Sequence, residues 1–324
     1  MLPTSVPRRD PVLTAAALEF KNADFVGDSL GPVLEVETRT FEYGALDKLN
    51  LFQNIDDTLA TYGEANEVGF GAEIASATMQ NHGLRATIAR EDVEDSEDRF
   101  LNLASDKQKV LSATLALSRE VRQKSKVVAA LTAAGRTSSG GNWGDYTATA
   151  VDIPSMVREK SQSSLYAMES AICPKQILFK LERHPSLLAL YFDGNSGKKI
   201  LTKDQIAELL GLKELIVPDG RYTTTKRPGK VALGTPIDGS LNRIWGNSFI
   251  LFRRANGLPN RMEPGFFYQW RRRWTKDLKG DNMRVRTWEL PQVGMGGAYV
   301  IQQEYQSLDM LFPEMGWEFT VTLS

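Results

Sequence analysis

The sequence predicts an α+β chain, and three observations carry that prediction. Residues 97–134 read as one long amphipathic helix, residues 171–218 alternate short strands with helices, and about the last 40 residues return to strand character. A chain of 324 residues can form one large domain or two ordinary ones, and 42% hydrophobic residues is enough for a packed core.

Residues 1–32 carry Pro3, Pro7, Pro11 and Pro32 around a short apolar patch, Val12 to Phe20, with room for two or three helical turns. Such an arm has too few apolar residues to fold alone and must lie on its own body or on a neighbour's. From Val33 to Tyr43 the side chains alternate in a strand-like way, with β-branched and aromatic residues but polar groups on both faces. A second strand is predicted over His82 to Asp92, and Gly63, Gly69 and Gly71 lie between the two. The pair predicts a β-ribbon projecting from the body, which is marginal in water unless it packs on another subunit. The acidic run Glu91, Asp92, Glu94, Asp95, Glu97 and Asp98 then leads into the long helix. It reads either as a divalent-cation site or as a solvated lead-in that complements the helix dipole, and the second reading is preferred.

In the long helix Leu103, Val110, Leu117, Val121, Val128 and Leu131 recur at three-, four- and seven-residue spacings, which places them on one stripe. Gly135 supplies the left-handed residue that ends it, and at 1.5 Å per residue the helix would span roughly 55 Å. The glycine-rich stretch after Gly135 reads as a loop. A second helix is expected over Ser155 to Glu169 behind Pro154, with Met156, Leu165 and Met168 facing inward. A short strand should lead to Pro174. After it come a helix over 176–190 broken or bent near His184 and Pro185, a turn at 193–197, a helix over 202–210 capped by Thr202 and Gly211, and a buried strand over 214–217. Residues 219–240 read as a polar loop on this lobe. Strands are predicted over 244–253 and 266–270, and then in MRVRTWELP, GAYVIQQEYQSLDML and WEFTVTLS.

Composition excludes several function classes. With 39 basic and 40 acidic residues the net charge is −1, so there is no global attraction to nucleic acid or to an anionic membrane. No apolar run is long enough to cross a bilayer, and prolines stand where a signal peptide needs its apolar stretch, so a cytosolic protein is expected. Cys173 is the only cysteine and His82 and His184 the only histidines, which excludes an internal disulfide, a thiolate cluster and a histidine-rich metal site. Neither histidine is flanked by a nucleophile elbow, and there is no phosphate-binding glycine loop. The sequence predicts no enzyme and no cofactor.

One cluster stands out. Residues 269–279 read QWRRRWTKDLK, with Arg271, Arg272, Arg273 and Lys276 between and beside Trp270 and Trp274. Basic residues interleaved with aromatics compose a platform for single-stranded nucleic acid. The plainer reading is a strand whose tryptophans are buried while its arginines point outward to acidic residues of another copy, and the balanced total charge favours it. Arg253 and Arg254 carry the same two readings.

Taken in order, a proline-bearing arm, a glycine-tipped ribbon, a long helix, a compact α/β lobe and a return to long strands resemble the major capsid proteins of tailed phages with the Hong Kong 97 fold. The local resemblance is strongest in AICPKQILFKLERHPSLLALYF, TKDQIAELLGLKELIVPDGRY and IWGNSFILFRRANGLPNRMEPGFFYQWR. It implies an N-terminal arm over 1–32, an extended loop over 33–92, a P-domain over 93–170 with the long helix as its spine, an A-domain over 171–264 and a return to the P-domain over 265–324. It also implies hexamers and pentamers of an icosahedral shell around double-stranded DNA, in a virion assembled in the host cytoplasm without a membrane. The implied partners are a portal, a separate scaffolding protein and a cement protein. Some members link subunits through a lysine on the extended loop, but this chain has no lysine between Lys48 and Lys107, so a non-covalent shell is expected. The alternatives are a bacterial nanocompartment shell of the same fold and a monomeric nucleic-acid-binding protein using residues 269–279.

Overall fold

The structure, a computed structural model, describes residues 8–19, 24–46, 58, 72–92, 103–146, 152–164, 166–192, 200–223, 241–257, 265–275, 282–291 and 297–323. Its strands and helices divide between two main sheets, beside which β9 (Arg221–Thr223), expected within a polar loop, pairs antiparallel with β10 (Leu241–Arg243); residues 224–240 and the turn expected at 193–197 lie outside the described residues.

The first sheet is organised by one long strand. β14 (Ala298–Leu311) pairs antiparallel with β13 (Met283–Leu290) and, further along, with β12 (Phe267–Arg272). β5 (Gln80–Ala89) pairs antiparallel with residues 298–307, so it flanks β14 on the edge opposite β13. β2 (Val33–Val36) runs parallel to β12, and the two-residue β1 (Arg8–Arg9) lies against β13. Helix α1 (Pro11–Glu19) starts at Asp10, whose Oδ1 accepts from the amides of Val12 and Leu13 at 3.0 Å each. Leu13 and Ala17 pack with Ile88, Val285 and Ile301. The described part of the arm over 8–19 therefore rests on its own body.

The predicted ribbon is paired differently. Residues 33–43 do not form one strand: β2 belongs to the main sheet, and after a bend β3 (Thr40–Leu46) pairs with β4 (Ala72–Thr78). The strand expected over 82–92 is β5, and it lies inside the main sheet. Backbone pairing overrode alternation here, because a strand with a polar group on each face is accepted equally by a ribbon and by a sheet covered on one side. Most of the connection between β3 and β4, with its glycines, lies outside the described residues.

The second sheet has the order β6 (Thr137–Asn142), β15 (Gly316–Thr322), β11 (Ser248–Phe252), β7 (Ser170–Ile172), β8 (Glu214–Ile216). Residues expected in a glycine-rich loop form β6, which runs parallel to β15. At Gly140 an added Cβ would come within 3.0 Å of a Val321 methyl, so a small residue is needed for that approach. β15 is part of the predicted return, yet it pairs with β11 of the α/β lobe. Strand residues sort by parity onto two cores. Ala171, Leu215, Phe249, Leu251, Phe319 and Val321 pack among the helices α3 (Ile153–Gln162), α4 (Lys175–Leu181), α5 (Pro185–Tyr191) and α6 (Lys203–Leu210). Ile172, Ile216, Ile250 and Phe252 face the other way, toward Val127 and Leu131. Cover on both faces explains why SFILF reads as an unbroken apolar run.

The lobe helices follow their signals. Thr202 and Gln205 form a reciprocal capping box, Gly211 ends α6 at φ 73°, and His184–Pro185 separates α4 from α5. α3 stops at Gln162, seven residues short of the expected end. Ser161 Oγ donates to the Met168 carbonyl at 2.7 Å and the Met168 amide to the Ser161 carbonyl at 3.0 Å, so the chain turns back on itself; Leu165 lies outside the described residues.

The long helix joins the two sheets. As α2 it is described over Leu103–Ala133, 31 residues or about 46 Å. Residues 93–102, with most of the acidic run, lie outside the described residues. Its buried residues are Gln108, Leu111, Ser112, Leu115, Glu120, Gln123, Val127 and Leu131. This corrects the predicted stripe. Leu131 is fully buried, Leu103, Leu117 and Val121 are partly buried against apolar clusters, and Val128 is half-buried, but Val110 is 57% exposed. Four of the eight buried positions are polar and were invisible to an apolar-only stripe, so the face that docks is rotated away from Val110.

Candidate assembly surfaces and the charged seam

The 3-10 turn Gly27–Ser29 lies where arm, long helix and return strand meet. The Glu120 carboxylate of α2 accepts from the Gly27 amide at 2.7 Å, the Val26 amide at 3.2 Å and the Trp245 indole at 2.7 Å. Burial raises the Glu120 pKa, and these three donors oppose the rise. Gly27 has no room for a side chain: an added Cβ would fall 1.9 Å from Gln123 Oε1. Beside it Asp28 takes two guanidiniums, Arg119 at 2.7 Å and Arg271 at 2.5 Å. Arg271 also donates to Gln269 Oε1 at 2.8 Å, and Gln269 Nε2 donates to the Gly27 carbonyl at 2.6 Å.

This seam takes up one arginine of the predicted basic cluster, Arg271. Trp270 is buried, as expected, and packs on Phe41 with ring centroids 4.4 Å apart, so it anchors the root of the β3–β4 ribbon. Arg271 does not point outward; it is 8% exposed and paired within the chain. Arg273 pairs with Glu37 at 3.1 Å, and Arg272 donates to the Glu37 carbonyl and to Gln306, both at 3.1 Å. Arg254 pairs with Glu214 at 2.6 Å, and Arg253 stacks over Tyr166 at 4.6 Å. Lys276 lies outside the described residues. Arg254, Arg271 and Arg273 thus each have an acidic partner within the chain. The partners are Asp28, Glu37 and Glu214, far away in sequence and bearing no local signal.

The helix meets β14 through polar groups. Gln108 Nε2 and Ser112 Oγ donate to Gln303 Oε1 at 2.8 and 3.0 Å, Arg122 donates to the Tyr305 hydroxyl at 2.7 Å, and Lys126 lies 3.7 Å from Asp309. The His82 ring lies tilted against Tyr305 with centroids 5.2 Å apart, and burial followed by the Arg122 charge lowers its pKa to about 4. His184 is buried beside Tyr146, with its pKa lowered by burial, and Cys173 is fully buried with its thiol pushed far up. Among the described residues no group of three or more His, Cys, Asp or Glu side chains could hold a metal ion, and no helix is long and apolar enough to cross a membrane. Large apolar side chains left exposed include Ile74 on the ribbon and Phe179, Leu190 and Ile200 on the lobe.

No protein-family profile matches the sequence. The chain is 25% identical over 291 residues to the major capsid protein of Pseudomonas phage JBD67, covering 88% of this chain and 90% of that protein. Among solved structures, a phage-related protein from Bordetella bronchiseptica RB50 matches with a TM-score of 0.64 at 16% identity, over 98% of each chain. The capsid of cyanophage P-SCSP1u matches with a TM-score of 0.57 at 9% identity, over 94% of this chain and 90% of that one. An encapsulin complex from Synechococcus elongatus PCC 7942 matches with a TM-score of 0.52 at 11% identity, over 98% of each. At such identities the structural matches speak for the fold, and the fold is the Hong Kong 97 fold that the order of parts predicted.

Proposed function

We propose that this chain is the major capsid protein of a tailed phage, and that it assembles into the hexamers and pentamers of an icosahedral shell enclosing double-stranded DNA. One observation carries the reading: the match to a phage major capsid protein runs along nearly the whole length of both chains. The exposed apolar residues of ribbon and lobe support it, since such groups are buried when copies meet. In this reading 1–32 is the arm, 33–92 the extended loop, and 93–170 with 265–324 the P-domain around the spine helix. Residues 171–264 form the A-domain, whose sheet is extended by β15 and, at its edge, β6. The role is structural and not enzymatic. Partners are further copies of the chain, a portal, a separate scaffolding protein and a cement protein, with DNA touched non-specifically, and the finished protein resides in the virion after assembly in the host cytoplasm.

A nanocompartment shell has the same fold, and the encapsulin match keeps it as the second reading. The monomeric nucleic-acid binder loses ground because Arg271 and Arg273 are already neutralised within the chain. Negative-stain imaging of the expressed protein tests assembly: closed shells or open tubes are expected, and dispersed monomers under all conditions overturn the proposal. Nuclease-resistant, genome-length DNA inside native particles is expected, whereas a co-purifying enzyme in its place assigns the compartment.

A further inference from the structure

A groove over β5, β13 and β14 gathers more guanidinium charge than its own acid neutralises. Two rows of paired residues cross it: Arg284, Glu304 and Gly83, and then Arg286, Gln302 and Arg85. Its volume is about 420 Å³, and among the described residues that line it Glu304 is the single carboxylate. His82, with its pKa lowered to about 4, adds no charge there at neutral pH. Arg284 and Arg286 both reach Glu304 Oε1 through Nε, and Gln302 Nε2 donates to Oε2 at 3.0 Å. Glu304 is thereby a brace: it holds two guanidiniums to one oxygen and leaves their terminal nitrogens without a hydrogen-bond partner among the described residues. Arg85 is exposed, with no carboxylate partner among the described residues, and Arg272 borders the groove through Gln306 and donates only to neutral oxygens. The Arg284 and Arg272 guanidiniums lie 3.9 and 4.6 Å from the Trp274 ring centroid, and the buried Trp274 indole nitrogen has no acceptor among the described residues. Four guanidiniums thus share one carboxylate, whereas Arg254, Arg271 and Arg273 each pair with a different acid.

Donors in such excess over acceptors fit an oxyanion, and the spacing selects which kind. A guanidinium fork takes two oxygens of one phosphate or carboxylate. Arg284 and Arg286 stand two residues apart on β13, about 7 Å, and Arg85 lies two strands away from Arg286, about 10 Å. That spread exceeds one phosphate and suits several linked in a row, which bring a negative charge at every link to meet the surplus of positive ones. Peptide carboxylates sit on separate flexible side chains and lose more freedom in reaching the same forks. The Trp274 ring already carries two guanidiniums, so it stiffens the arginines rather than stacking a base, and the site reads no sequence. We infer that the Arg85–Arg272–Arg284–Arg286 groove is a binding site for a chain of linked phosphates, the chemistry shared by a free polyphosphate and the backbone of a nucleic acid. The inference draws on nothing in the shell reading and stands or falls apart from it.

Titration calorimetry of the full chain with sodium tripolyphosphate tests it. Tripolyphosphate should bind, and orthophosphate should bind at least about tenfold more weakly because it engages fewer forks. Arg85→Glu, a change at an exposed position, should weaken tripolyphosphate at least about tenfold without moving the melting temperature. Arg286→Lys keeps the charge but loses the fork and should also weaken it, while Arg254→Ala, on the lobe, should leave it unchanged. No binding, or equal binding by Arg85→Glu, overturns the inference. So does an oligoglutamate peptide that binds as tightly as tripolyphosphate in an Arg85-dependent way, since the groove would then be a carboxylate site. A short DNA duplex of mixed sequence separates the two sources. Displacement of tripolyphosphate by the duplex from wild type, with no duplex binding by Arg85→Glu, assigns the phosphates to nucleic acid; tripolyphosphate binding that the duplex leaves untouched assigns them to a free polyphosphate.

Discussion

Asp28 and Glu120 are the residues on which the arm, the helix and the return strand converge, and neither is marked in the sequence. A carboxylate becomes a hub only when distant donors are brought to it: Arg119 and Arg271 to Asp28, Trp245 and two backbone amides to Glu120. Trp270, by contrast, could be read as buried from its place in an alternating strand, and it is buried. His82 shows the same dependence on tertiary surroundings in a testable way. Burial and the Arg122 charge lower its pKa from 6.5 to about 4 in the folded chain. Across that window the unfolded chain binds more protons, so stability present above pH 6.5 is lost as pH falls toward 4. His82→Phe keeps the ring against Tyr305 and removes the titration. Its melting temperature should decline less steeply than wild type between those pH values, and an identical decline would contradict the assignment.

At the scale of elements, the long helix illustrates what periodicity reveals and where it stops. Its existence, its course and its end before Gly135 were legible because no Pro or Gly interrupts thirty residues with a helical repeat. Its docking face was not, because Gln108, Ser112, Glu120 and Gln123 are buried through packing and through hydrogen bonds to β14 and the 3-10 turn, partners far away in sequence. Two substitutions separate the readings. Leu131→Asp places an unpaired charge in a fully buried site and should destabilise the isolated subunit by roughly 3 kcal/mol or more in urea unfolding. Val110→Asp, on the exposed side, should stay within about 0.5 kcal/mol of wild type. Equal losses would place Val110 in the core after all. The ribbon failed for a related reason: alternation identifies a strand but does not name its neighbour, and β5 found β14.

The whole molecule is two sheets tied by one helix, with the arm laid across its own body. Since symmetry repeats every contact, weak interfaces suffice for a shell of this fold, and charge pairs are one way to make them directional. The absence of lysine between Lys48 and Lys107 leads to a plain expectation for purified particles: boiled in detergent, they should run as a single-chain band on a gel. A ladder of covalent multimers would refute the non-covalent shell.

The course of the long helix, the caps of α6, the break at His184–Pro185 and the apolar run SFILF as a buried strand were legible in the sequence alone, because each is marked by residues within a few positions of one another. The pairing of β5 with β14, the parallel seating of β6 on β15, the polar docking face of α2 and the charged seam at Asp28 were decided by tertiary structure. Each of these joins groups separated by scores of residues, and a hydrogen bond or ion pair across such a distance leaves no periodic trace in either partner.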